Sequence, residues 1–295
     1  MTALYSFLGI TRQAAFQAWE RQRKQAVLAD TLTKLVHDIR MDHPQIGLRK
    51  MYTMLEPLPI GRDKFELLMR DHGLSVHHVR RPWVTTHAQH AIYHPNLLSG
   101  LTINGIHQAW VTDLTYFRIM DRFVYLVFIL DVYTRLILAA VASRSMHAEA
   151  NIKALDGAIL RAGDERKKLQ TIHHSDFGSQ YIDADYCQIL KEHDFILSMC
   201  EYAYENPYVE RVQGTIKNEY LYPRGITRFE ELTPELERAV MLYNTKRPHR
   251  SHPRMMTPAS FAEHVLSLDE KDRPIMKIYD SSNDPVRSKR RVLTT

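Results

Sequence analysis

The spacing of apolar positions changes period twice along this chain. Up to Gly73 they recur at helical intervals: Leu28, Leu32, Leu35, Val36 and Ile39 share one stripe, and Phe65, Leu68 and Met69 share another. Thr11 is placed to cap GITRQAAFQAW and Gly73 to end the last stripe, so residues 1–74 are predicted to form three or four short helices. Residues 75–107 lose the period and carry Arg80, Arg81, Pro82 and scattered histidines without metal-ligand spacing, which reads as a basic linker. From Gln108 the pattern turns to strands. WVTDLTYFRI, RFVYLVFILDVY and RLILAAVA are rich in β-branched and aromatic residues, and short turns at Met120-Asp121 and Tyr133-Thr134 predict an antiparallel meander.

Helical and strand periods then alternate. A helix over residues 148–162 turns Ile152, Leu155 and Ile159 inward, followed by a strand at 169–173, a helix at 184–193, a strand at 195–199 and a helix after Asn206. Five strands interleaved with helices give a mixed α/β layer over 108–222. In the last of these helices Asn206 is the N-cap and Pro207 takes the first position, where a missing N–H costs nothing. Val209, Val212, Ile216 and Tyr220 then form the buried stripe, while Glu210, Gly214 and Lys217 share a different face. Gly214 costs about 1 kcal/mol relative to alanine inside a helix, which points to close approach of a DNA backbone or of another helix. Beyond Tyr222, Thr233 and Pro234 start a helix with Leu236, Val240 and Tyr243 inward, and YNTKRPHRSHPRMMTPASF reads as an extended basic strap. These make a helical and basic extension over 223–265; after it periodicity fades, and 266–295 reads as a flexible basic tail.

With 44% hydrophobic and 25% charged residues over 295 positions, the chain can bury a full core. No apolar run approaches the roughly 20 residues of a membrane-spanning helix. Met1 and its neighbours lack the charged start and sustained apolar core of a secretory signal. Cys187 and Cys200 are too few for a disulfide framework or a cysteine-held zinc, so a reducing cytoplasm is expected, with no membrane partner.

Charge adds an asymmetry. Residues 108–222 hold 12 basic and 16 acidic side chains, whereas 1–107 hold 13 and 8, and 223–295 hold 14 and 10. An acidic centre between basic flanks suits a polyanionic substrate whose phosphates meet the flanks while cations neutralise the centre. Three acids in that centre stand on different predicted elements: Asp113 on the first strand, Asp176 just after the fourth, and Glu210 in the first turns of the capped helix. Carboxylates without a cysteine cluster point to hard divalent cations held by oxygen, the chemistry of phosphoryl transfer. The short helices with Arg12, Arg21, Arg23, Lys24, Arg49 and Lys50 fit a small helix-turn-helix-like DNA-binding region. Asp131 reads as a turn residue or a surface charge and stays outside the site.

WVTDLTYF, LDVYTR, HHSDFGSQY, ENPYVERVQGTIKNEY and YNTKRPHR, in this order, resemble the catalytic protein of insertion-sequence transposases of the insertion-sequence-three group, relatives of retroviral integrases. LGITRQAAFQAW, GLRKMY and LLMRDHGL resemble the helical segment that precedes the catalytic core in that group. The resemblance implies an RNase H-like mixed five-stranded sheet flanked by helices, preceded by a small all-α region. It implies that Asp113, Asp176 and Glu210 are catalytic and bind two divalent cations, Mg2+ with Mn2+ able to substitute. It also implies that Lys217 contacts the element's end DNA, and Asn206, Gln213, Lys246, Arg247 and Arg250 complete the expected DNA-binding set. Around Asp176, His174, Ser175, Gly178 and Gln180 are expected to support the metal-binding residues or meet DNA. The chain departs from the group's pattern in three places: 33 residues separate Asp176 from Glu210, Phe177 follows the aspartate, and residues 201–207 hold no tryptophan. These affect how end DNA is gripped more readily than which residues hold metal.

The implied reaction cuts DNA and transfers the cut strand to a second site. The implied partners are double-stranded DNA (terminal inverted repeats and target), further copies of the chain on that DNA, and an upstream helical protein of the OrfA type joined by frameshift fusion. A nuclease of the same fold that cuts without joining, and a catalytically silent DNA-binding regulator, are the alternatives.

Overall fold

A computed structural model describes residues 7, 9–76, 94–167, 169–200 and 205–280. The chain divides into two compact units, Met1–His78 and Val79–Thr295.

The first unit is helical. α1 (Arg12–Asp42) starts where Thr11 accepts a hydrogen bond from the Ala14 amide at 3.0 Å. It runs for 31 residues without interruption, where several short helices were expected, because no glycine or proline breaks it. α2 (Leu48–Leu55) and α3 (Arg62–Asp71) close against its second half. Leu32, Val36, Ile46, Met51, Phe65 and Met69 make the core, while Leu35 of the predicted stripe is exposed. Gly73, at φ +70°, ends α3 as expected, and the Leu74 amide reaches back to the Met69 carbonyl at 2.9 Å.

The second unit is built on a mixed five-stranded sheet. β1 (Thr102–Ile103) is a short outlier, followed by β2 (Ala109–Ile119), β3 (Arg122–Asp131), β4 (Ile137–Ser143), α4 (Ala148–Lys167), β5 (Ile172–Ser175), α5 (Ala184–Glu192), β6 (Ile196–Met199) and α6 (Pro207–Thr215). α6 continues as a π-helical turn over Ile216–Leu221, and α7 (Phe229–Thr245), α8 (Pro258–Leu266) and β7 (Met276–Lys277) complete the unit. The sheet order is β4-β3-β2-β5-β6. β2, β3 and β4 pair antiparallel as the predicted meander, and β5 and β6 add in parallel on the other side of β2. This is the RNase H-like arrangement.

Alternation along β2 and β3 explains the layering. Val111, Phe117, Leu126, Phe128 and Leu130 face α6, α7 and α8, whereas Trp110, Val127 and Ile129 face α4 and α5. Two boundaries differ from expectation. α7 begins at Phe229 rather than near Pro234, because the Glu231 carboxylate accepts from the Thr227 and Arg228 amides at 3.1 and 3.3 Å and caps an earlier start. Residues 266–280, expected to be flexible, pack: β7 pairs with β1, and Ile278 is buried.

Candidate active site

β2 runs through the middle of the sheet, so its side chains are overlooked by α6 and flanked by β5. The parallel register pairs Val111 with His174. Asp176, just past the end of β5, is near enough to Asp113 for its charge to act on that carboxyl. Asp176 follows the last residue of β5, where its Oδ1 accepts from the Gly178 amide at 3.0 Å. α6 is drawn across β2 by two side chains. Asn206 Nδ2 donates to the Thr112 carbonyl at 3.1 Å, and Gln213 Nε2 donates to Asp113 Oδ2 at 3.0 Å. Glu210 rides between them on the exposed side of the same helix.

The acids feel one another. Burial first, and then the Asp176 carboxylate, push the Asp113 pKa up to about 8; Glu210 adds to the rise, while Gln213 and the Leu114 amide, at 2.8 Å from Oδ1, oppose it. Desolvation also raises Glu210. Cys200, whose amide donates to the Ser175 carbonyl at 2.9 Å, is buried beside the same acids, and burial and Asp176 hold its thiol protonated. Among the described residues, no three of His, Cys, Asp or Glu are gathered closely enough to hold a metal ion as they stand. In kind the donors suit a hard divalent cation: all are carboxylate oxygens, and a pKa near 8 marks a place short of positive charge.

Around this centre the expected supporting residues fall into place unevenly. His174 Nδ1 meets Ser198 Oγ at 2.8 Å, and burial lowers the ring's pKa to about 4, so it is a neutral interior histidine. Ser175 Oγ donates to the Asp176 carbonyl at 3.0 Å. A Cβ on Gly178 would meet only the movable Gln180 side-chain amide, and the backbone there has an ordinary φ of −61°, so neither requires glycine. Gly214 faces open space, so helix packing does not require it.

Several residues expected on DNA have interior work instead. Asn206 is 3% exposed and Gln213 5%, both committed to β2 by the bonds above. Asn206 occupies the N-cap position of α6, yet its side chain serves Thr112 rather than the helix amides. Arg247 is 6% exposed and forms a bidentate ion pair with Glu219, at 2.8 and 2.7 Å. Lys217 is tethered to β2 by Thr115 Oγ1 at 2.7 Å and the Tyr116 carbonyl at 3.4 Å. Lys246 and Arg250 are exposed. Gln213 was the reachable one: it stands three residues after Glu210, and that spacing puts both on adjoining parts of one helix surface. Asp131, read as a turn residue or a surface charge, is no surface charge: it is fully buried and accepts from the His107 amide, the Thr134 amide and the Thr134 hydroxyl at 2.7, 2.8 and 2.6 Å, closing the β3–β4 turn.

Two integrase core domain models match the chain, over residues 104–204 and 198–258, which together span the sheet, α6 and α7. The 31 kDa protein of insertion element IS600 from Shigella sonnei is 31% identical over 266 residues, covering 86% of this chain and 96% of that one. Transposase InsF of insertion sequence IS3A from Escherichia coli K12 is 31% identical over 121 residues, 40% of this chain and 41% of that one. Among solved structures, the HTLV-2 integrase catalytic core domain in complex with magnesium is similar at 17% identity and a TM-score of 0.42, over 52% of this chain and 97% of that one. The chain belongs to the DDE transposases of the insertion-sequence-three family.

Proposed function

We propose that this transposase cuts the DNA at the ends of its insertion sequence and joins the freed ends to a target, with Asp113, Asp176 and Glu210 as its catalytic acids. The observation that carries this reading is the placement of three carboxylates on β2, just past the end of β5 and on α6, near enough that Asp176 and Glu210 add to the rise that burial gives the Asp113 pKa. The reaction is hydrolysis of a phosphodiester to leave a 3′-hydroxyl, then in-line attack of that hydroxyl on a second strand, without a covalent protein intermediate. Asp113, Asp176 and Glu210 would hold two divalent cations, magnesium with manganese able to substitute, whose chemistry is to stabilise charge on the attacking and departing oxygens. Gln213 fixes the orientation of Asp113, and the Gly178 amide fixes that of Asp176. Lys246 and Arg250, exposed beyond α7, meet phosphates of double-stranded DNA from terminal repeat or target. Copies of the chain assemble on that DNA in the bacterial cytoplasm, with an upstream OrfA-type helical protein contributed by frameshift fusion. No helix among the described residues is long and apolar enough to cross a membrane.

Incubation of the chain with labelled terminal-repeat DNA and magnesium or manganese tests the proposal. Cut and joined products are expected, and chelation should abolish both. Cutting without joining would make the protein a nuclease, and specific binding with neither reaction would make it a regulator.

A further inference from the structure

We propose that Glu219 and Arg247 form a lock that holds the π-helical turn after α6 in place, making Arg247 a positioning residue for the catalytic acids. The inference rests on the transposase reading of Asp113, Asp176 and Glu210. Its starting point is the irregular winding at Ile216–Leu221, a segment that itself holds no proline or glycine, although Gly214 precedes it and Pro223 follows it. π-turns are rare, and they persist where outside contacts hold them, often at functional sites.

Here the contacts come from both flanks. On one flank, Glu219 accepts the paired Nε and Nη2 donors of Arg247, with the two side chains only 12% and 6% exposed. A planar two-point pair fixes orientation as well as distance. Arg247 has a stiff mount of its own. Its amide donates to the Leu242 carbonyl at 3.0 Å, closing the end of α7, and its guanidinium lies 5.5 Å from the Tyr243 ring centroid. Three residues earlier the buried Asn244 exchanges two 2.9 Å hydrogen bonds with the amide and carbonyl of Ile137, clamping the same segment to β4. On the other flank, two residues before Glu219, Lys217 donates to Thr115 and Tyr116 on β2. Those positions lie two and three residues beyond Asp113, and Gln213 touches Asp113 itself.

A buried ion pair contributes little net stability, because desolvation offsets most of its attraction; its attested use is to fix register. This one fixes the register of the turn between Gln213 and α7. Without it the segment is free to rewind with i→i+4 bonding, which turns every residue after Thr215 about the helix axis and takes Lys217 off β2. Asn244 and Arg247 of the YNTKRPHR motif are therefore the mount of the site, while Lys246 and Arg250 of the same motif stay exposed.

Two measurements on the full chain test this, each with Glu219→Gln and Arg247→Lys, both of which keep side-chain size. Amide hydrogen exchange should accelerate across 216–221 and stay unchanged across 229–245. Single-turnover cleavage of terminal-repeat DNA at saturating DNA and magnesium should slow by roughly 10- to 100-fold, the scale of a sub-ångström to 1 Å misplacement, while DNA affinity holds. The charge-swapped pair, Glu219→Arg with Arg247→Glu, should recover part of both. Wild-type exchange across 216–221 in both variants would overturn the lock, as would a rate lowered only in proportion to the unfolded fraction. If the wild-type chain itself fails to cut, the transposase reading fails, and the exchange data alone still decide whether the lock exists.

Discussion

Asp113 is the acid on which the proposed chemistry turns, and its raised pKa makes a sign-definite prediction. Its ordinary value is 3.8 and its folded value about 8, so between those limits the metal-free folded chain holds a proton that the unfolded chain releases. Folding stability from this group is complete below pH 3.8 and is lost as pH rises toward 8. The buried His173 and His174, lowered to about 3 and about 4 by desolvation, act in the opposite sense: they must charge on unfolding in acid, so stability falls as pH drops below their ordinary 6.5. The difference between wild type and Asp113→Asn therefore isolates the aspartate. Without metal, the variant should gain stability relative to wild type steadily from pH 4 to pH 8 in thermal melts, and it should neither cut nor join DNA. A constant difference across that range would show that the fold does not raise the Asp113 pKa. Gln213 tests the same centre from one bond away. Gln213→Leu keeps the helix but removes the donor to Asp113 Oδ2, which should raise the Asp113 pKa further and slow strand cleavage by about 10- to 100-fold, with a higher magnesium requirement.

At the scale of elements, the fold is held together by polar clamps that join segments far apart in sequence. Asn244 at the end of α7 satisfies both backbone groups of Ile137, and it is fully buried. Asn244→Ala should destabilise the second unit by about 2–4 kcal/mol in urea unfolding, since it strands an amide and a carbonyl in the interior. A loss under about 0.5 kcal/mol, the level of an ordinary surface change, would mean that water replaces the side chain. Such clamps are also why part of the structure was illegible beforehand. β2, β3, β4 and the helices α4, α5 and α6 that come after them follow from period, caps and turn residues, all of which act within a few positions. The bonds Asn206–Thr112, Gln213–Asp113 and Asn244–Ile137 span 94, 100 and 107 positions, and no local pattern encodes them. α7 was misplaced for a related reason: Pro234 resembles a first helical residue, yet Glu231 had already capped a start five residues earlier. The acids were readable because each sits at a landmark, a mid-strand, a strand end and a proline-started helix. Their degree of closure was not, because it depends on how α6 lies over β2.

Over the whole molecule, a net charge of +5 is a poor guide to which cations reach DNA. An arginine that is paired and buried leaves no counterion-releasing contact to make, whereas an exposed one does. Of the four Lys and Arg side chains in the YNTKRPHR motif and the π-turn, Lys246 and Arg250 are exposed, Arg247 is locked to Glu219, and Lys217 is bound to β2. Replacing Lys246 or Arg250 with alanine should lower the slope of log affinity against log salt by about one each, and equally for specific and unrelated DNA, because phosphates carry no sequence. Arg247→Ala should leave that slope unchanged while lowering stability and cutting rate. Titrations of duplex DNA from low to physiological salt, with all three variants at matched folded concentration, separate the two kinds of basic residue. An Arg247→Ala slope reduced by a full unit would return that arginine to the DNA surface and dissolve the mount inferred for the π-turn, whereas unchanged slopes for Lys246→Ala and Arg250→Ala would move the DNA path away from the end of α7.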